Sequence, residues 1–111
     1  MRVLVMGAGA IGSVFGGFLA KAGHAVTLVG RAPHMDQVRD SGLLITGIWG
    51  EHRVAIPRCL ASAEGLASAG ERFDLVLITV KSHNTGEAAD AAAPLLTDES
   101  LVVSLQNGLG N

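Results

Sequence analysis

Apolar residues along the chain fall into two kinds of run. Short continuous runs rich in Val, Leu and Ile occupy residues 2–6 (RVLVM), 24–30 (HAVTLVG), 73–81 (FDLVLITVK) and 100–106 (SLVVSLQ). Bounded by glycine or polar residues, they predict strands buried on one or both faces. Between the first two, Ile11, Val14, Phe15, Phe18 and Leu19 recur at helical spacing, and Gly23 stops the pattern with Lys21 in the last turn. Residues 2–30 thus predict strand, glycine turn, helix and strand, a βαβ unit. Pro33 opens a second helix that runs to Asp40 or Ser41, with Gly42 just past its end. In LLITGIWGEHRVAI, two β-type runs flank GIWGE and predict a hairpin with a loop of several residues. Residues 61–70 (ASAEGLASAG) read as a weak helix. Residues 84–96 form a further helix, with Asn84 or Thr85 as cap, Glu87 in the first turn and Pro94 limiting its end.

Strands alternating with helices predict an α/β fold, a mostly parallel sheet covered on both faces and wound in both directions, with a β-hairpin inserted after the second helix. The strands at 2–6 and 24–30, the hairpin, and the strands at 73–81 and 100–106 fill five positions of a six-strand order. The last of these is expected as an exposed, apolar sheet edge, a template for self-association. No repeat or internal boundary appears, so residues 1–111 read as one domain.

The junction of the first strand and helix carries the densest chemistry. Gly7, Gly9 and Gly12 stand in GAGAIG at GxGxxG spacing. The first lets the chain turn off the strand, the second lets a pyrophosphate approach the backbone, and the third lets the helix pack close to the sheet. Ala10 and Ile11, between the second and third glycines, are read with them as cofactor-binding positions, because the helix N-terminus there offers N–H groups and a positive dipole end to a phosphate. The alternative is a close-packing, glycine-softened helix without a ligand. Gly16 and Gly17 read as packing residues. At the tip of the second strand an NAD site places Asp or Glu for the ribose 2′-hydroxyl, and an NADP site a cation for the 2′-phosphate. Here the strand ends LVGRAPH, with Arg31 and no carboxylate before Asp36. That favours NADP(H) and disfavours FAD and S-adenosylmethionine; the alternative for Arg31 is a solvated surface arginine.

Composition narrows the classes. A formal net charge of −2 gives no reason to expect nucleic acid or an anionic membrane as partner. The first stretch is too broken by glycine to be a signal peptide or to span a membrane, so a soluble, cytoplasmic setting is expected. His24, His34, His52 and His83 show no metal-type spacing, and the single Cys59 reads as a small hydrophobe.

The combination of MGAGAIGSVFGGFLAKAGHAVTLVGR, ITVKSHNT and SLQNGLGN resembles the N-terminal, Rossmann-type NADP-binding domain of the ketopantoate reductase (2-dehydropantoate 2-reductase) family, over essentially the whole chain. The resemblance implies NADPH-dependent reduction of a small 2-oxo acid, 2-dehydropantoate, to pantoate, on the route to pantothenate and coenzyme A. It matches Lys81 to a lysine at the cofactor–substrate junction and Asn107 to an asparagine that binds substrate beside the nicotinamide. Both follow strands at their carboxyl ends, where open α/β sheets bind ligands. The alternatives are a snorkelled surface lysine and a plain turn asparagine. Gln106 and His83 lie nearby without an assigned role. The family's general-acid lysine and a substrate-binding glutamate belong to a helical C-terminal domain that these residues do not match. The chain is therefore expected to be the cofactor half of a longer two-domain enzyme, without a catalytic residue of its own and inactive alone. The competing readings are the cofactor domain of another NAD(P)-dependent hydroxy-acid or amino-acid dehydrogenase, and a non-catalytic nucleotide-sensing module. Arg31 disfavours the second of these.

Overall fold

A computed structural model describes residues 1–7, 10–47, 50–79 and 85–104. Strands β1 (Arg2–Met6), β2 (Ala25–Val29), β5 (Arg58–Leu60), β6 (Phe73–Ile78) and β7 (Leu96–Ser104) form one sheet in the order β5-β2-β1-β6-β7. Every pairing in it is parallel. Strands β3 (Leu43–Gly47) and β4 (Gly50–Val54) form a separate antiparallel pair. The helices are α1 (Ala10–Lys21), α2 (Ala32–Ser41) and α3 (Thr85–Ala92), the last followed by a 3₁₀ turn at Ala93–Leu95. From β1 the chain winds outward through β2 to β5, then returns to β6 and β7 on the other side of β1. The switch point lies between β1 and β6, and the carboxyl ends of both strands open on the same edge.

Alternation along the strands divides the core. Val3, Val5, Val26, Leu28 and Leu77 face α1, α2 and the β3–β4 hairpin, while Leu4, Met6, Val29, Val76 and Ile78 face α3 and the 61–70 segment. Helix α1 ends in a paired cap: His24 N–H donates to the Leu19 carbonyl at 3.1 Å and Gly23 N–H to that of Ala20 at 3.0 Å. Among the described residues, no helix is long and apolar enough to cross a membrane.

Several expectations need correction. The hairpin takes no place in the main sheet. The position beside β2 belongs to β5, within a stretch from which no strand is predicted, and Leu43, Ile45 and Val54 of the hairpin instead pack over α1. Gly47 pairs with Gly50, so only residues 48–49 separate the two strands. The 61–70 segment is a series of turns rather than a helix. Gly65 and Gly70 have φ of +85° and +78°, a left-handed backbone that interrupts helical hydrogen bonding. Strand β7 starts at Leu96 and lies at the described sheet's edge, with Leu101 and Val102 61% and 42% exposed. On α1, Phe15 points away from the core while Gly12, Gly16 and Gly17 are buried, Gly16 against the sheet and Gly17 against the hairpin.

Candidate functional site

The strands' carboxyl ends are laced together just beyond the sheet. Thr79 N–H donates to the Met6 carbonyl at 2.9 Å, Gly7 N–H to Val29 at 2.9 Å, and Gly30 N–H to Leu60 at 3.0 Å. In each case the residue after the strand bonds the last residue of the neighbouring strand, so the ladder runs one position beyond the strands.

Gly7 turns off β1 with φ of +105°, a region that a side chain strains. Its carbonyl accepts a hydrogen bond from Thr79 Oγ1 at 2.6 Å. Gly12, in the first turn of α1, lies directly against this pair. A Cβ built on Gly12 overlaps the Gly7 carbonyl oxygen and Thr79 Oγ1, so only glycine fits. A Cβ on Gly16 makes ordinary contact, 3.4 Å from Val5 Cγ2. On Gly17 it meets Ile45 Cδ1 and, at 3.1 Å, Leu43 Cδ2, the mobile ends of hairpin side chains. Gly12 is therefore the position where helix and turn approach most closely, and Gly16 and Gly17 are packing residues, as their positions suggest. Helix α1 carries no acidic residue in its first turn, so nothing in that turn offsets its positive end.

One strand over, Arg31 caps α2 with extended backbone (φ −65°, ψ 142°) and makes no side-chain capping bond. The side chain is exposed and has no hydrogen-bond or ion-pair partner among the described residues. Asp36, the first carboxylate after it, binds Arg39 at 2.9 Å. The tip of β2 therefore presents an available guanidinium close to the glycine turn, since Gly7 bonds Val29.

A recess of about 540 Å³ opens on the α3 face. Met6 and Val29 form its floor, the turns from Ser62 to Ala67 one wall, and Ala88, Ala91 and Leu95 the other, with Glu64 and Glu87 also lining it. Its size suits a heterocycle-sized ligand group. The sequence gives little sign of it, because it exists where an expected helix is a run of turns facing small alanines. Thr79 is likewise missed: its hydroxyl serves a glycine 72 positions away.

The expected site residues are thus partly brought together. Gly7 and Gly12 meet, and Arg31 stands at the neighbouring strand tip. Ala10 and Ile11 stand in the first turn of α1. Gly9, Lys81, His83, Gln106 and Asn107 lie outside the described residues. Ile78 and Ser104, which precede Lys81 and Asn107 by three positions each, are paired neighbours on β6 and β7. Cys59 is buried on β5, where burial pushes its thiol pKa up and nearby Arg39 partly offsets this.

Comparison with known proteins accords with this geometry. The family model described as ketopantoate reductase PanE/ApbA matches residues 3–111. The 2-dehydropantoate 2-reductase of Pyrococcus horikoshii is 37% identical over 111 residues, which are all of this chain and 34% of the relative. The crystal structure of a PanE/ApbA family ketopantoate reductase from Ralstonia eutropha JMP134 superposes with a TM-score of 0.81 and 41% identity, covering 97% of this chain and 35% of that one. A ternary structure of D-mandelate dehydrogenase with NADH and anilino(oxo)acetate superposes with a TM-score of 0.76 and 27% identity, covering 99% and 35%. The chain spans about a third of the length of the relatives it matches. With a parallel sheet wound around a glycine turn and a family match over nearly every residue, this chain belongs to the ketopantoate reductase family.

Proposed function

We propose that this chain forms the dinucleotide-binding half of a reductase cleft, holding NADPH along the carboxyl edge of the sheet for reduction of a 2-oxo acid of the 2-dehydropantoate type. The observation that carries this reading is the packing of Gly12, at the start of α1, directly on the Gly7 carbonyl, where no Cβ fits. It is the close strand–helix approach that the third glycine of a dinucleotide fingerprint permits, and it brings the start of α1 up against the turn off β1.

When bound, the cofactor supplies a hydride to the substrate's carbonyl carbon. The chain's own residues bind and orient. The N-terminus of α1 offers N–H groups and the positive dipole end to the pyrophosphate. Arg31 pairs with the 2′-phosphate and lays its guanidinium plane on the adenine. Glu64 and Glu87 repel that phosphate from the recess, which favours its placement on the Arg31 side. By family resemblance, Lys81 attracts the anionic 2-oxo acid and Asn107 fixes its oxygen by a hydrogen bond.

A second reading, use of NADH, is favoured by the D-mandelate dehydrogenase neighbour, whose structure contains NADH. Calorimetric titration with both dinucleotides separates them. The wild type is expected to prefer NADPH. Arg31→Ala should weaken NADPH binding by about 1.5–3 kcal/mol, the scale of a hydrogen bond to a charged group, and leave NADH nearly unchanged. Equal affinities in the wild type overturn the choice of NADPH, and binding of neither overturns the dinucleotide reading.

A further inference from the structure

We propose that Thr79 is a positioning residue of the dinucleotide site, its hydroxyl holding the Gly7 carbonyl and thereby setting the path of the chain into α1; the inference rests on the dinucleotide reading above. Thr79 follows β6 directly and is half-buried. Its backbone N–H completes the parallel ladder on the Met6 carbonyl at 2.9 Å. Its Oγ1 lies 2.6 Å from the Gly7 carbonyl oxygen and 3.2 Å from that of Met6. A hydroxyl has one proton to donate, and the shorter contact assigns it to Gly7.

That carbonyl belongs to the residue where the chain leaves β1 with φ of +105°. Glycine gives the turn access to this conformation but leaves its peptide poorly restrained. The Thr79 hydroxyl restrains it. The same Oγ1 bounds the space at Gly12 that excludes a Cβ. Three elements therefore meet at one point: the exit of β1, the exit of β6 and the first turn of α1. A ligand site reaches its affinity only if its backbone donors are held by a supporting shell, and here a side chain from a different strand supplies part of it. Serine keeps the donor. Valine is nearly isosteric but places a methyl where the hydroxyl met the carbonyl at hydrogen-bond distance.

The test is titration of the chain, Thr79→Ser and Thr79→Val with NADPH and NADH, each with a thermal melt. Thr79→Ser should bind both within about twofold of the wild type, and Thr79→Val should lose about tenfold for both alike, the scale for removing a supporting hydrogen bond. Equal loss for the two dinucleotides separates this role from that of Arg31, and rescue by serine separates it from general packing. Should Thr79→Val not fold, Thr79→Ala removes the hydroxyl without adding a methyl and carries the same comparison. Wild-type affinity in a variant lacking the hydroxyl, or a serine variant as weak as valine, overturns the inference while leaving the dinucleotide reading intact. A wild-type chain that binds neither dinucleotide overturns both.

Discussion

At the amino-terminal ends of β5, β1 and β6, charged side chains satisfy one another, whereas at the carboxyl end of β2 Arg31 has no partner among the described residues. Arg58 binds Glu71 through both terminal nitrogens, at 2.9 and 2.7 Å, and reaches Thr27 Oγ1 through Nε at 3.1 Å. Arg2 adds a bond to the same carboxylate at 2.6 Å, donates to the Arg72 carbonyl, and lies 5.0 Å from the Phe73 ring centroid. A forked, shared carboxylate of this kind is pre-organised and more useful than an isolated surface pair. It fixes the end of the 61–72 segment at one rim of the sheet. The opposite rim uses glycines, backbone groups and a threonine, and the same segment there lines an open recess. The contrast shows how one crossover is both anchored and left open: Glu71 is tied down at one rim, while Glu64 lines the recess at the other.

The largest effect that would sharpen this contrast is at Gly12. Gly12→Ala forces a methyl into the Gly7 carbonyl and Thr79, and backbone cannot yield as a flexible side chain can. It should destabilise the fold by about 1–3 kcal/mol, the usual cost of overpacking. It should also lower dinucleotide affinity at least about tenfold, or 1.4 kcal/mol. Gly16→Ala, with only ordinary contacts, is the control and should change neither strongly. Melting curves and titrations of the two variants check this, and a Gly12→Ala chain that binds normally breaks the account of the carboxyl rim.

Glu71 offers the converse test. Its hydrogen bond from Arg58, and then that from Arg2, outweigh the effect of partial burial and hold its carboxyl below the usual carboxylate range. A carboxylate with a lowered folded pKa contributes stability that is fully present above its unfolded pKa and is lost as pH falls through the folded value. Wild-type melting temperature should therefore drop on acidification below the ordinary glutamate range. Glu71→Gln should melt lower at neutral pH, show a shallower acid limb, and bind dinucleotide as the wild type does. Circular-dichroism melts from neutral to acid pH, with one titration at neutral pH, decide it. A loss of affinity matching that of Gly12→Ala would mean that the two rims are not separate.

The two rims were unequally legible in the sequence. GAGAIG is a local signal, and so is Arg31 at the end of an apolar run; turn, helix start and strand tip all follow from neighbours along the chain. Strand β5 is not local. It comprises Arg58, Cys59 and Leu60 after Pro57, too short for any alternation to show, and exists because β2 offers an unpaired edge. The hairpin is legible as a hairpin, but its seat over α1 depends on Gly17 leaving room for Ile45 and Leu43. The Arg58–Glu71–Arg2 cluster joins residues 13 and 69 positions apart, and the bond from Thr79 to Gly7 spans 72. No spacing rule connects such positions before the sheet order is known. Helical composition misled at 61–70, where alanines and serines suggest a helix and the backbone of Gly65 and Gly70 ends it.

The smallest effect concerns the charges of the recess itself. Glu64 and Glu87 line it without any positive partner among the described residues, in contrast to Glu71 at the other rim. If a 2′-phosphate sits on the Arg31 side of β2, these carboxylates repel it through solvent. Two unit charges about 10 Å apart in water interact by only about 0.4 kcal/mol. Glu87→Gln should accordingly strengthen NADPH binding by about twofold at low salt and NADH, which lacks the extra phosphate, by less. The gain should vanish at 1 M salt, where the screening length falls to about 3 Å. Titrations of both dinucleotides at low and high ionic strength measure it directly. A loss of affinity for both would assign Glu87 a direct hydrogen bond to the ligand, and the recess would then belong to the binding surface rather than bounding it.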